Sequence, residues 1–190
     1  MSRFIKLFRQ NIILNVFVAF LLVPAFASAE QTPWQTTVGN GTSQTNFNWP
    51  GYNTGYEFTP LTNGVITQLG GFYNGTKTVR LYDSAGVQLA MVNATDNNSW
   101  GYAAIAPVTV TAGQSYTVAV DTGFGGASMY FGQPGFGFGP SYPNFPHVVG
   151  DIRIERSVFG FGSSRPTWEI WGQMWGQPDI IFVPGELVIQ

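Results

Sequence analysis

Residues 64–120 read GVITQLGGFYNGTKTVRLYDSAGVQLAMVNATDNNSWGYAAIAPVTVTAGQSYTVAV. Apolar and polar side chains alternate through much of this stretch, and clusters of turn-forming residues interrupt the alternation. A period of two is typical of strands that bury one face, whereas a helix repeats about every 3.6 residues. The stretch therefore predicts successive antiparallel β-strands.

Two short segments predict the turns. Asp83–Gly86 suits a type I turn closed by glycine, and Thr111–Gln114 is a second turn of this kind. Met91 is expected to share a strand face with Val87 and Leu89. We expect the following side chains to face the core: Val79, Leu81, Val87, Leu89, Val118 and Val120. Consecutive hairpins predict an all-β fold, an antiparallel β-sandwich (immunoglobulin-like or jelly-roll-like) in a single domain.

The composition fits a β protein and argues against several other classes. Charged residues make up 9% and aromatic residues 16% of the chain, which contains 24 glycines and 12 prolines. An apolar content of 44% and a net charge of −2 argue against intrinsic disorder. No basic patch favours nucleic acid as a partner. The absence of cysteine excludes disulfides and thiolate metal sites.

Residues 1–29 have the pattern of a signal peptide. Three basic residues precede an apolar run over 12–23, and Ala27–Ala29 forms a small-residue cleavage site before Glu30. The run is shorter than the ~20 residues of a membrane-spanning helix, which argues against an uncleaved anchor. We expect cleavage between Ala29 and Glu30, no membrane span afterwards, and a location in the periplasm, at the cell surface or outside the cell.

The remaining chain divides into three predicted parts. Residues 30–55 form a polar segment that packs on the sandwich, residues 56–184 form the β-sandwich, and residues 185–190 form a tail. Within the sandwich, Gly70–Gly71 predicts a β-bulge that shifts the strand's phase. The run Asn93–Ser99 predicts a polar loop.

Five segments resemble, in chain order, the domain of unknown function 4082 family of secreted bacterial domains. They are 64–73 (GVITQLGGFY), 79–90 (VRLYDSAGVQLA), Trp100, 107–116 (PVTVTAGQSY) and 179–182 (DIIF). The resemblance covers about Tyr56 to Val183. It implies a β-sandwich module found beside glycan-active enzymes and adhesin repeats, with a binding or structural role and no catalytic residues to carry over. The Gly- and aromatic-rich segment after Asp121 departs from the family pattern.

The segment Trp168–Trp175 is the first candidate for ligand binding. If it is one strand, Trp168, Ile170 and Met174 share one face. The opposite face carries Glu169, Trp171, Gln173 and Trp175. Indole rings can stack on the apolar faces of sugars, while amide and carboxylate groups bind their hydroxyls. The alternative is that these tryptophans pack in the core or seal the sheet.

The segment Gly123–His147 is the second candidate. Its glycines and prolines predict a long loop, and long loops in compact domains are usually functional or disordered. Its aromatic residues include Tyr130 and Phe136, which we expect to contribute to ligand binding. The alternatives are an adhesive surface and a cover over one end of the sandwich.

Metal and catalytic sites are weakly indicated. Asp96–Asn98 with Asp83 or Asp121 could hold Ca²⁺, which prefers oxygen ligands, although such residues are more often turn formers. His147 is the only histidine, and no nucleophile-elbow motif is present. We expect no cofactor and no catalytic residue. A glycoside hydrolase would need two carboxylates, for which the candidates are Glu57, Asp151, Glu155 and Glu169.

Taken together, these features predict an exported, non-catalytic module that binds a glycan or cell-surface polymer. The first alternative is a structural or adhesive extracellular protein, and the second is a small glycoside hydrolase. Carbohydrate-array binding, concentration-dependent assembly and bond cleavage would distinguish the three.

The mature protein is predicted to begin at Glu30, because the small-residue site ends at Ala29. Intact-mass analysis of protein exported by a bacterial host checks this. Exported material that retains Met1–Ala29 would contradict it.

Overall fold

The computed structural model describes residues 28–39, 45–47, 51–122, 129–131, 145–170 and 176–185. In these ranges the chain forms one short helix and ten strands, all in one antiparallel sheet. The elements are α1 (Pro33–Val38), β1 (Thr45–Phe47), β2 (Tyr52–Pro60), β3 (Gly64–Asp83), β4 (Gln88–Val110), β5 (Tyr116–Asp121), β6 (Met129–Phe131), β7 (His147–Val149), β8 (Ile152–Phe161), β9 (Trp168–Glu169) and β10 (Pro178–Pro184). The predicted all-β class, with a sandwich-like single domain, is confirmed.

The long strand β3 organises the sheet. Its first half pairs with β4 on one side and β10 on the other, while its second half pairs with β4 and β5. The main strand order is β1-β6-β3-β5-β2-β8-β7, with β9 paired to β8. β3 therefore joins two halves of the sheet, one that contains β10 and one that contains β5, β2 and β8.

The core lies between these two halves. β10 contacts β5 and β2 but pairs with β3 alone among the described strands, so it packs face to face against them. Both halves contribute side chains with no exposed surface to one cluster: Tyr56, Phe58, Ile66, Leu69, Leu81, Val118, Ile154, Ile180 and Phe182. Packing of two sheet faces across a shared apolar core is the arrangement of a sandwich.

The helix α1 places a tryptophan in this core. Pro33 occupies its first turn, where a missing N–H is tolerated, and Gly39 ends it with a φ of 68°. Trp34 is fully buried, with its ring 6.2 Å from that of Tyr56. Among the described residues, no helix has the length and apolar character needed to cross a membrane.

The first predicted turn is confirmed. The N–H of Gly86 donates to the carbonyl of Asp83 over 3.1 Å, and the N–H of Val87 donates to the Asp83 carboxylate over 2.8 Å. Gly86 has a φ of 86°, a left-handed conformation that favours glycine. β3 and β4 thus form a hairpin.

The second predicted turn also forms, but it does not close a hairpin. The N–H of Gln114 donates to the carbonyl of Thr111 over 3.2 Å, and Gly113 has a φ of 77°. The described residues of β4 and β5 do not pair with each other, because β5 lies between β3 and β2. The expectation of consecutive hairpins is therefore wrong here.

The predicted core face holds for β3 and β5 and fails for the start of β4. Val79, Leu81, Val118 and Val120 have no exposed surface. By contrast, Val87, Leu89 and Met91 are exposed by 57%, 37% and 53%.

For Leu89 and Met91 the cause is a register shift between Leu81 and Tyr82, which leaves Leu89 as an extra residue in β4. One extra residue reverses the face that each later side chain occupies. As a result Ala90 lies opposite Leu81, and Val92 lies opposite Val79, so these smaller residues face the core.

Two further expectations for this hairpin are wrong. Asn93–Ser99 is not a loop but part of β4, since it pairs with the middle of β3. The register shift in the first half of β3 lies between Ile66 and Gln68, not at Gly70–Gly71. The two glycines instead allow close strand contact, because a Cβ at Gly70 would lie 2.0 Å from the Gly101 carbonyl oxygen.

Leu81→Ala should lower the free energy of unfolding by about 2–5 kcal/mol, because it leaves a cavity in the core. Leu89→Ala is the matched control and should change it by less than about 1 kcal/mol, because Leu89 lies at the surface of the same hairpin. Urea unfolding of both variants measures this. Equal losses would show that the face assignment of β4 is wrong.

Candidate functional site

Among the described residues, four aromatic side chains meet at one end of the sheet. Tyr52 begins β2, Phe159 and Phe161 end β8, and Trp168 begins β9. The strand register pairs Tyr52 with Phe161 and Phe159 with Trp168, which places all four on one face. Ring centroids are 4.7 Å apart for Tyr52–Phe161, 5.3 Å for Phe159–Trp168 and 5.4 Å for Phe161–Trp168. We call these four residues the aromatic cluster.

The aromatic cluster lies on the same face of the sheet as the core, at the end where that face reaches solvent. Along β2, alternation puts Tyr52 on the same face as Tyr56, which is fully buried. Phe161 and Trp168 nevertheless expose 57% and 54% of their surface. Two large adjoining rings open to water make this end of the sheet a candidate binding surface.

Hydrogen bonds to β5 hold Tyr52 in place. Its backbone N–H donates to the Thr122 hydroxyl over 3.0 Å, and the Thr122 N–H donates to the Tyr52 carbonyl over 2.8 Å. The ammonium group of Lys77 donates to the Thr122 carbonyl over 2.9 Å. Lys77 is almost completely buried, and this burial lowers its pKa to about 8.

The connection between β8 and β9 is anchored on the opposite face of the sheet. Tyr82 donates its hydroxyl to the Ser163 carbonyl over 2.7 Å, and the Asn53 amide donates to the Ser164 carbonyl over 2.7 Å. Arg165 donates to the Thr117 hydroxyl over 2.9 Å. These contacts fix the start of β9 without covering the aromatic cluster.

Glu169, a candidate from the sequence, belongs to that opposite face. It lies opposite Val158 in the register, and its carboxylate is 3.6 Å from the Arg156 guanidinium. Arg156 and Arg165 both contact the Glu57 carboxylate, over 3.0 Å and 2.9 Å. Because successive strand residues point to opposite faces, Glu169 is separated from the aromatic cluster.

The other sequence candidates are not assembled with Glu169 in the described structure. Trp171, Gln173, Trp175 and Phe136 lie outside the described residues. Tyr130 lies in β6 opposite Asn46, and β3, β5, β2 and β8 separate β6 from β9 in the strand order. Trp168 and Ile170, which were expected to share a strand face, differ in burial: Trp168 is 54% exposed and Ile170 is 8% exposed. The strand β9 ends at Glu169, so Ile170 does not continue its alternation.

The aromatic cluster was not predicted from the sequence. The available signal was the pair Phe159 and Phe161, which alternate with glycine at strand spacing. Neither residue was singled out from the sequence, and both lie at the end of β8. The other two members are Tyr52 in β2 and Trp168 in β9, and the sequence does not show how these strands pair with β8.

The profile of the family DUF4082, a domain of unknown function, matches residues 26–168. The chain belongs to the DUF4082 family. The matched range includes the whole aromatic cluster and ends at Trp168, whereas β10 lies beyond it. No curated protein matches the chain.

The proposed calcium ligands of this DUF4082 domain lie apart. Asp83 binds the hairpin turn, Asp121 pairs with Arg80, and one carboxylate oxygen of Asp96 accepts from the Ser99 hydroxyl over 2.6 Å. Within the part of the chain that the structure describes, no three acidic or histidine residues form a potential metal site.

The carboxylates considered for catalysis in the DUF4082 domain have structural partners. Glu155 accepts from the Thr59 hydroxyl over 2.5 Å and pairs with Arg153 over 2.8 Å. Asp151 accepts from the Gln31 amide over 2.6 Å. With Glu57 and Glu169 in ion pairs with arginine, each of the four candidates is engaged in holding the fold.

The most deeply buried carboxylate belongs to Asp179. It accepts from the N–H groups of Trp34 and Gln35 over 3.0 Å and 2.9 Å, and from the hydroxyls of Tyr56 and Tyr102 over 2.9 Å each. Burial raises the pKa of Asp179 above its ordinary value and outweighs the backbone donors, which lower it. With no exposed surface, Asp179 acts as a structural junction.

Asp179→Asn should destabilise the DUF4082 domain by about 1–3 kcal/mol at pH 7, because its amide group would face hydrogen-bond donors. The stability difference between wild type and variant should grow as the pH falls from 7 toward 4. The reason is that native Asp179 takes up a proton at a higher pH than unfolded Asp179, so acidification favours the native wild type. Urea unfolding at several pH values tests both statements, and a difference that shrinks on acidification would contradict the second.

Proposed function

We propose that this DUF4082 domain is an exported, non-catalytic module that binds carbohydrate at the cell surface or outside the cell. The observation that carries the proposal is the aromatic cluster, with Phe161 and Trp168 open to solvent at one end of the sheet. The C–H faces of sugars are apolar and stack on aromatic rings, which makes such a surface suitable for a saccharide.

The construction of the cluster supports a binding role. Phe159 and Tyr52 pack beneath the two exposed rings, and the backbone of β2, β8 and β9 fixes all four. A ligand that docks on preformed rings does not have to order them, so less of the binding free energy is lost as conformational entropy.

The partners of the acidic residues favour binding over catalysis. A glycoside hydrolase needs one carboxylic acid and one carboxylate flanking the scissile bond. Glu57 contacts two arginines, and Glu169 contacts one of the same two. The location outside the cytoplasm rests on the signal-peptide pattern of residues 1–29.

One observation favours the structural or adhesive alternative. The first half of β4 pairs with β3 alone among the described strands, and it presents the exposed side chains of Leu89 and Met91, next to the exposed Val87 that precedes the strand. Residues 87–95 contain no charged side chain. An unprotected apolar strand of this kind can pair with another chain.

Trp168→Ala should weaken retention by a neutral polysaccharide by about 1–3 kcal/mol, taking aromatic stacking on nucleobases as the analogue. Its melting temperature should stay within a few degrees of wild type, because Trp168 is more than half exposed. The control is Trp100→Ala, since Trp100 packs on Phe72 outside the aromatic cluster and should not affect retention. Affinity electrophoresis through gels containing β-glucan, xylan, mannan or starch measures retention, and calorimetry measures melting.

Two outcomes would count against the carbohydrate proposal. One is that neither a glycan array nor any of the four gels binds the wild-type protein. The other is concentration-dependent assembly in sedimentation velocity without added ligand, abolished by Met91→Lys, together with no effect of Trp168→Ala on retention. That result would favour the structural alternative.

A further inference from the structure

We propose that residues 87–95, which lead into and begin β4, pair with the same residues of a second copy of this chain. The pairing is antiparallel, about a twofold axis that passes through Met91. This goes beyond carbohydrate binding and does not depend on it. The reasons are the open edge of β4, the apolar side chains exposed along it and the lack of charge on both sides of Met91.

The edge of β4 that faces away from β3 has no partner among the described strands. On the face opposite the core, four alternate side chains of this part of β4 are exposed: Leu89, Met91, Asn93 and Thr95. The edge of a sheet presents unpaired N–H and C=O groups, and these are the groups that another β-strand binds. The chemistry of this edge therefore fits a strand as its partner.

Residues 90–95 lack the usual protections of an edge strand. Proteins commonly block such edges with charged side chains, with proline or with β-bulges. This run contains neither a charged residue nor a proline. The register shift that leaves Leu89 extra lies before it, and residues 90–95 continue opposite β3 without another shift. Six consecutive residues thus keep a regular, uncharged edge.

The extended and uncharged stretch is centred on Met91. It begins at Val87, whose carbonyl accepts from the N–H of Asp83 over 3.0 Å to close the turn, and it ends at Thr95, next to Asp96. A twofold axis at Met91 places Val87 of one copy opposite Thr95 of the other. The stretch is therefore complementary to itself over its full length, with no charge opposite another within it. This favours a second copy as the partner strand.

The same axis brings the exposed apolar side chains together. Met91 exposes 53% of its surface and Leu89 exposes 37%. Side chains that lie opposite or diagonal to each other on paired strands are in contact range. The two Met91 side chains meet at the axis, and each has Leu89 of the other copy on its diagonal. Burial of these four side chains removes apolar surface from water and favours association.

A twofold contact limits the assembly to two copies. Both copies use the same edge, so the dimer leaves no second edge of this kind for a third copy. A contact through one strand of each copy belongs to the small interfaces, below about 1,200 Å² in total, so we expect a weak dimer that dissociates on dilution. The dimer differs in this respect from the open-ended assembly of a structural matrix protein.

Sedimentation velocity of the mature wild-type protein over about a hundredfold range of concentration tests the dimer. We expect a shift from monomer to dimer and no larger species. Met91→Lys should raise the dissociation constant by at least about tenfold, because two ammonium groups would face each other at the axis. The matched control is Val148→Lys, which adds the same charge at a residue of β7 that is 54% exposed, and it should change the constant by less than about threefold.

Disulfide formation tests the register, and the chain is suited to it because it contains no cysteine. With copper–phenanthroline as the oxidant, Met91→Cys should form linked dimers at least about ten times faster than Leu89→Cys or Asn93→Cys alone. The reason is that only residue 91 lies opposite itself, and cysteines whose Cα atoms are more than about 7 Å apart do not bridge. A mixture of the Leu89→Cys and Asn93→Cys proteins should link faster than either alone, because these two positions lie opposite each other.

Four outcomes would overturn the proposal. They are a monomer at every concentration, equal effects of Met91→Lys and Val148→Lys, equally fast linking at positions 89, 91 and 93, and assembly that continues beyond two copies. The last of these would favour the structural alternative. Carbohydrate binding is judged separately, from the retention of Trp168→Ala at protein concentrations below the dissociation constant of the dimer.

Discussion

The Asp179 carboxylate joins the parts of the sandwich that local sequence signals cannot bring together. Four of its hydrogen-bond donors come from three different elements, namely the N–H groups of Trp34 and Gln35 in α1, the Tyr56 hydroxyl in β2 and the Tyr102 hydroxyl in β4. Leaving a buried polar group without a partner is costly, so each donor depends on the carboxylate as much as the carboxylate depends on them. The position of Trp34 in the core follows from this junction.

The prediction of fold class succeeded because it needed only short-range signals. Alternation around Leu81 and Val118 identifies strands, and a glycine-closed turn at Gly86 identifies a hairpin. The failure at Leu89 comes from the register shift between Leu81 and Tyr82, because one extra residue in β4 reverses the face of the side chains that follow it. Alternation within one strand does not show which side chains of the next strand face the core.

The aromatic cluster was less predictable for a similar reason. Trp168 and Glu169 differ by one position, and that position decides whether a side chain joins the rings or the arginines. Tyr52 is distant in sequence from Phe161, and only the register between β2 and β8 brings them together. From the sequence, an aromatic face was predicted within the single segment Trp168–Trp175, whereas pairing between strands selects the residues of the aromatic cluster.

The two faces of the β8–β9 pair differ in character: one carries ion pairs, and the other carries the aromatic cluster. On one face, Arg156 and Arg165 both bind Glu57, and the intervening connection is held by hydrogen bonds from Tyr82 and Asn53. These contacts lie on the face opposite the rings. On the other face, the four side chains of the aromatic cluster carry no charge. A surface with these properties gains binding free energy from ring contact and desolvation, which supports the proposed carbohydrate ligand.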